Sequence, residues 1–268
     1  MDKKKFLKIA FYGMLVLTVI TIIMTIVAAY DQKNTIRINP DDVVLVQLDT
    51  IKGNIDPDAE VAVIKTSLGE IKAELYTEYA PKTVARFKEL AESGYYNGTY
   101  VYEVQKDMFF SGGSPYSDGS LEDGYDEESE KIEQELHQNI WPFKGAFMSC
   151  GLTRNSFFTG EQIVYGGSRF MVAGSIEFTD EIKTELLEGK ENTHIEDAFI
   201  EYGGLPNASQ QMTIFAQAYD GFDVLENIMK LESDEETFRP FDEFKIEEIK
   251  ICTYKEAPKS QADESIKK

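Results

Sequence analysis

From Ile9 to Tyr30 the chain runs for 22 residues without one charged side chain, and this run divides it before any fold can be considered. About 20 apolar residues in a helix span a bilayer, so the reading is a transmembrane anchor over residues 9–30 behind a short tail, residues 1–8. The rival reading is a cleavable signal peptide, whose apolar core is usually about 7–15 residues. This run is longer, and VAAY at its end is its one cleavage-like feature. Lys3, Lys4, Lys5 and Lys8 precede the run, whereas only Lys33 and Arg37 follow it closely. Positive charge stays on the cytoplasmic side, which predicts a single-pass protein of the cell membrane with its C-terminal part extracytoplasmic.

That C-terminal part is acidic. The chain carries a net charge of -21, and its first eight residues hold four lysines against Asp2, so the remainder is more negative still. Such a field disfavours nucleic acid and anionic lipid surfaces as partners. The two cysteines, Cys150 and Cys252, sit in apolar, strand-like runs. They read as two buried thiols or as one extracytoplasmic disulfide, and two cysteines make no disulfide framework.

Residues 31–60 mix the apolar run VVLVQL with the turn-rich INPDD and GNIDPD, and read as a stalk with one strand. From residue 61 the signals are dense. VAVIKT and IKAELY flank the turn SLGE in a hairpin pattern. Pro81 then opens a helix in which Val84, Phe87, Leu90 and Ala91 recur at helical spacing, and Gly94 stops it. TIFAQA reads as a strand, FDVLENIMKL as a second helix and FKIEEIKICTY as a closing strand. Many strands with two separated helices predict a mostly β, closed architecture. Residues 255–268 are polar and read as a disordered tail.

Five stretches occur in one order: VIKTSLGEIKAELYTEYAPKTVARFKELAESGYYNGT, VYEV, Gly112-Gly113, QELHQNIWPFKGAFMS and TIFAQAYDGFDVLENI. Over residues 61–254 this succession resembles a cyclophilin-type peptidyl-prolyl isomerase. The resemblance implies a closed eight-stranded antiparallel barrel with two capping helices, acting on proline-containing polypeptides in protein folding. It implies no cofactor, because the barrier of about 20 kcal/mol comes from amide resonance and needs no covalent catalysis. In the family pattern F-H-R-V, the arginine donates a hydrogen bond to the prolyl nitrogen and favours the single-bond-like transition state. Here Tyr102-Glu103 stands at that place, and a carboxylate is an acceptor only.

The same resemblance assigns the groove. The family's F-M-x-Q-G-G corresponds to Met108, Phe109, Phe110, Ser111, Gly112 and Gly113; its M-A-N to Ser149, Cys150 and Gly151; its G-S-Q-F-F to Gly167, Ser168, Arg169, Phe170 and Met171. Met212 falls at the pocket histidine, and the only tryptophan, Trp141, lies in a different segment from the family's. The implied peptide groove is thus Met108, Phe109, Ser111, Cys150, Gly151, Met171 and Met212, with Glu103 and Arg169 as the candidate catalytic pair. Two readings stay open: a divergent isomerase to which Arg169 supplies the guanidinium from a neighbouring strand, and a barrel that binds peptides without turnover.

Metal chemistry finds little support. SDGSLEDGYDEESEKIEQE misses the glycine and glutamate spacing of a calcium loop. His137 and His194 lack the neighbouring ligands of a zinc site. No G-x-S-x-G occurs, which removes the corresponding serine-hydrolase reading. The segment from Thr179 to Gln210 is longer than the family carries there, and is expected to lie over one end of the groove as helix and loop.

Overall fold

The computed structural model describes residues 38–121, 132–155, 162–188 and 194–260. The expected tail at 1–8 and anchor at 9–30 lie outside the described residues, as does most of the acidic loop. Among the described residues no helix is long and apolar enough to cross a membrane. Ile38–Arg154 with Gln162–Lys268 form one compact unit. This unit carries the fold.

Its first hairpin joins β1 (Glu60–Thr66) to β2 (Gly69–Leu75), in register from Val61 opposite Glu74 to Thr66 opposite Gly69. Ala62 and Ile64 of β1 and Ile71, Ala73 and Leu75 of β2 enter the main core, as the alternation predicts. Helix α1 (Gln47–Lys52) precedes this hairpin and α2 (Pro81–Glu92) follows it. Then come β3 (Tyr100–Gln105), β4 (Phe109–Ser114), β5 (Ile132–Glu133), β6 (Ala146–Asn155) and β7 (Gln162–Ala173). Helices α3 (Asp180–Leu187) and α4 (His194–Tyr202), β8 (Ile214–Asp220), α5 (Phe222–Met229) and β9 (Phe244–Thr253) complete the order.

The strands run β4-β3-β9-β1-β2-β8-β6-β7, and β7 pairs back onto β4, so eight strands close into the expected antiparallel barrel. The two-residue β5 is an outer addition to β7. Closure removes the sheet edges that would otherwise seek partners. The barrel is filled by aromatic side chains. Phe147, Phe170 and Phe215 are buried there, and Phe87 brings its ring to 5.0 Å from Phe215 and 5.9 Å from Phe170.

Helix α2 covers one mouth of the barrel with Val84, Phe87, Leu90 and Ala91. Burial of each large apolar side chain is worth about 1.5–3 kcal/mol. Its N-cap, Ala80, offers no side-chain acceptor. Glu135 supplies one from far along the chain, accepting from the Lys82 and Thr83 amides at 3.1 and 2.9 Å and from the Thr83 hydroxyl at 2.8 Å. A carboxylate at this end also meets the positive pole of the helix dipole. Helix α5 covers the barrel with Val224, Leu225 and Ile228, and starts from Gly221 at a φ of 81°, as the Asp220-Gly221 turn predicts.

Two features, the VVLVQL stretch and the C-terminal tail, differ from the sequence reading. VVLVQL forms no strand; its last two residues begin α1, which ends at Gly53 with a φ of 82°. The reason lies in Gln47 and Thr50, both buried. Three residues apart, they share a face only in a helix. Gln47 donates to Gln217 at 2.9 Å and accepts from the Trp141 amide at 2.6 Å, while Thr50 reaches Glu74 and Tyr76. Residues 38–60, read as stalk, therefore add buried side chains to the barrel's surroundings.

The segment after Thr179 carries two helices, and α4 packs Phe199 onto Phe143 and Trp141 with ring centroids 4.7 and 6.4 Å apart. The tail read as disordered from residue 255 is held at Ser260, whose amide and hydroxyl donate to Asp220 at 2.9 and 2.8 Å. Cys150 and Cys252 are both free thiols.

Candidate functional site

The site lies on the outer face of β3, β4 and β7, and a bulge makes it. Val101 and Val104 both enter the core although they are three residues apart. Plain alternation would turn one of them outward. The register slips between Val101, which pairs with Gly112, and Glu103, which pairs with Ser111. Tyr102 is the extra residue, so Tyr102 and Glu103 both lie between the two core valines. Bulges of this kind re-aim side chains next to functional sites.

Glu103, Ser111 and Met171 stand opposite one another on three adjacent strands. Ser111 is fully buried and donates to the Glu103 carboxylate at 2.9 Å. Phe109 precedes Ser111 by two residues on the same face and pairs with Ala173. Phe110, between them, points into the core.

The apolar floor is a second cluster, apart from the barrel core. Met108, Met171 and Met212 pack half-buried around Met148, Ile140 and Ile214, with Ile176 and Ala208 beside them. Met108 reaches this place from a turn with Asp107 at a φ of 61°. Gly174 permits it: any side chain there would collide with the Asp107 and Met108 carbonyls, and its own amide donates to Met108 at 2.6 Å. Methionine suits such a floor because its unbranched side chain adapts to irregular surfaces. A shallow pocket adjoins Met212, walled by Tyr79, His137 and Gln210, with the Tyr79 and His137 rings 4.8 Å apart.

Arg169 lies two residues before Met171 on β7 and is half-buried. Its Nη1 donates to the Gly119 carbonyl at 2.5 Å, and its guanidinium carbon is 5.9 Å from the centre of the Tyr102 ring. Gly119, at a φ of 78°, has no room for a side chain against that ring. Arg169 thus braces the Tyr102 bulge and uses one of its five N–H groups to do so. Cys150 adjoins the same group from β6, beside the Tyr102 and Ser111 hydroxyls. Burial pushes its thiol up to about 11, against the opposing effect of those hydroxyls and of the Arg169 charge. Burial likewise pushes the Tyr102 phenol well up. Cys150 is accordingly a poor nucleophile near neutral pH.

The structure thus gathers Glu103, Ser111, Cys150 and Arg169 around Tyr102, and Met108, Met171 and Met212 in the adjoining floor. Gly151 follows Cys150 at the half-buried end of that stretch of β6. Sequence reasoning left Tyr102 out as a site residue. The signal was present in the three-residue spacing of Val101 and Val104, which a strand accommodates only through a bulge.

Residues 61–251 match the profile of the family described as cyclophilin type peptidyl-prolyl cis-trans isomerase/CLD. The chain belongs to this cyclophilin family. A Staphylococcus saprophyticus protein named "Putative peptidyl-prolyl cis-trans isomerase" is 28% identical over 189 residues, covering 70% of this chain and 90% of that protein. A Staphylococcus aureus (strain USA300) protein of the same name is 30% identical over 166 residues, covering 62% and 79%. A longer Streptococcus pyogenes protein, named "Putative bifunctional phosphatase/peptidyl-prolyl cis-trans isomerase", is 30% identical over 190 residues; the match spans 70% of this chain but only 38% of that relative.

Two crystal structures of a Cryptosporidium parvum cyclophilin share the fold at 22% identity. One has a TM-score of 0.54, covering 73% of this chain and 98% of the other. The other, solved in the presence of the dipeptide Ala-Pro, has a TM-score of 0.53, covering 72% and 99%. The double glycine Gly112-Gly113 and Glu103 both lie within the matched residues.

Proposed function

We propose that this protein is a divergent, membrane-anchored cyclophilin that binds proline-containing segments of extracytoplasmic polypeptides and isomerises them through an altered catalytic site. The observation that carries the reading is the apolar floor of Met108, Met171 and Met212 beside the polar row of Glu103 and Ser111. Proline packs on such a floor, and the reacting amide then lies over the polar row. Rotation about that amide needs a donor to the prolyl nitrogen, and Arg169, whose bond to Gly119 among the described residues uses one of its five N–H groups, is the candidate.

Exchange spectroscopy by NMR on a proline-containing peptide tests this with the full chain in a zwitterionic detergent. Native protein is expected to accelerate exchange. Arg169→Ala and Arg169→Lys are both expected to lose most of that acceleration, because an ammonium lacks the planar fork of donors. Full activity in Arg169→Lys sinks the assignment of the guanidinium. A second reading has its own support: Arg169 is already engaged with Gly119 and Tyr102, which suits a module that binds without turnover. Saturable peptide binding without any acceleration of exchange would establish it.

The anchor rests on the 22-residue uncharged run and the lysines before it. Carbonate washing of membranes is expected to leave the protein in the pellet. Release of a fragment beginning near Asp31 would mean that a processed leader, and no anchor, precedes the barrel.

A further inference from the structure

The geometry points to Glu103 as a selectivity residue: the groove prefers proline flanked by a basic side chain. This rests on the peptide-groove reading above and adds a substrate class to it. Glu103 is half-buried on the outer face, and among the described residues its one hydrogen bond is the proton donated by Ser111. No lysine or arginine among the described residues pairs with it. Arg169, the nearest cation by strand order, is tied to the Gly119 carbonyl and the Tyr102 ring. Lys106 sits exposed in the β3–β4 turn, next to Asp107. Among the described residues no cation pairs with the negative charge of this side chain, which stands at the border of an apolar floor. Partial burial makes that charge act more strongly on a nearby ligand than it would in bulk water.

Position makes the charge readable by a client. Glu103 and Met171 are separated by the single strand β4, with Ser111 between them. Two strand spacings of about 4.8 Å put the acid roughly 10 Å from the methionine on which proline would pack. Neighbouring Cα atoms in a peptide are about 3.8 Å apart. A residue next to proline, with a flexible four-carbon lysine stem or an arginine side chain, crosses the remainder. A flanking carboxylate would instead face Glu103 without a counter-charge. The net charge of -21 adds a long-range attraction for the same basic clients.

Three capped peptides test the inference by NMR titration of the full chain in a zwitterionic detergent: Gly-Lys-Pro-Lys-Gly, Gly-Ala-Pro-Ala-Gly and Gly-Glu-Pro-Glu-Gly. The lysine peptide is expected to bind about two- to fivefold more tightly than the alanine peptide, the scale of one partly exposed ion pair, and the glutamate peptide most weakly. Salt at 0.5 M, roughly, should narrow the spread. Glu103→Gln should lower the lysine-to-alanine ratio clearly, to what the field of the remaining charges supplies. Ser111→Ala, which removes the hydrogen bond and leaves the charge, should keep the preference. The readout is a ratio within each variant, so a change in overall affinity does not mimic it. Equal binding of all three peptides by native protein overturns the inference, as does an undiminished ratio in Glu103→Gln or loss of the ratio in Ser111→Ala alone. Failure to bind any of the three overturns the groove reading itself, and this inference with it.

Discussion

Replacing Glu103 by arginine is expected to raise the rate of prolyl exchange by one or more orders of magnitude. The position faces outward beside Ser111, with β4 between it and Met171, so on the proposed groove a guanidinium there approaches the reacting amide from the polar row. One preorganised donor aimed at the charge that develops in a transition state is worth about 2.7–4 kcal/mol. Against this stands the loss of the Ser111 hydrogen bond to the carboxylate, worth about 1.5–3 kcal/mol to stability for a charged partner. That loss weakens the fold without touching the barrier. Arg169 remains bonded to Gly119, so the incoming charge does not displace it from the Tyr102 bulge. The double variant Glu103→Arg with Arg169→Lys locates the donor: if the rate gain survives, the new guanidinium acts alone, and if it vanishes, the two are coupled. An unchanged rate in Glu103→Arg, with strong acceleration by native protein, would place the working donor elsewhere in the groove.

Much of this barrel was legible in short patterns. The alternation of VAVIKT and IKAELY, the Pro81 start and the helical spacing of Val84, Phe87 and Leu90 each carry their structural reason locally. So does the glycine that opens α5. What was not legible depends on partners distant in sequence. Gln47 is helical and buried because Gln217 and the Trp141 amide satisfy it, and neither is visible from VVLVQL. Glu135 caps a helix that begins more than fifty residues earlier. The site was legible in part for the same reason. The methionines could be placed from the order of motifs, whereas the engagement of Arg169 with a loop carbonyl and a neighbouring ring is a property of folded neighbours only.

Truncating Phe170 to alanine is expected to be the most damaging single change to the fold, at about 3–5 kcal/mol, the usual range for a buried phenylalanine. Its ring is 2% exposed and lies 5.9 Å from Phe87, 5.8 Å from Tyr96 and 5.7 Å from Phe147. Those three side chains come from α2, the segment after it and β6, so removing the ring leaves a cavity that no single neighbour can fill. For a domain of this size each kcal/mol moves Tm by about 2–4 °C, and thermal unfolding followed by circular dichroism should show a fall of roughly 10 °C. The damage should extend to the site, because Phe170 sits between Arg169 and Met171 and opposite Gly112 at the β4–β7 seam that closes the barrel. Phe109→Ala is the control: its half-buried side chain is on the outer face of β4, and it should cost clearly less stability while weakening peptide binding more directly. A Phe170→Ala variant that loses under 1 kcal/mol would show that the aromatic centre does not hold the seam, and the rigidity assumed for the row of Glu103, Ser111 and Met171 would fall with it.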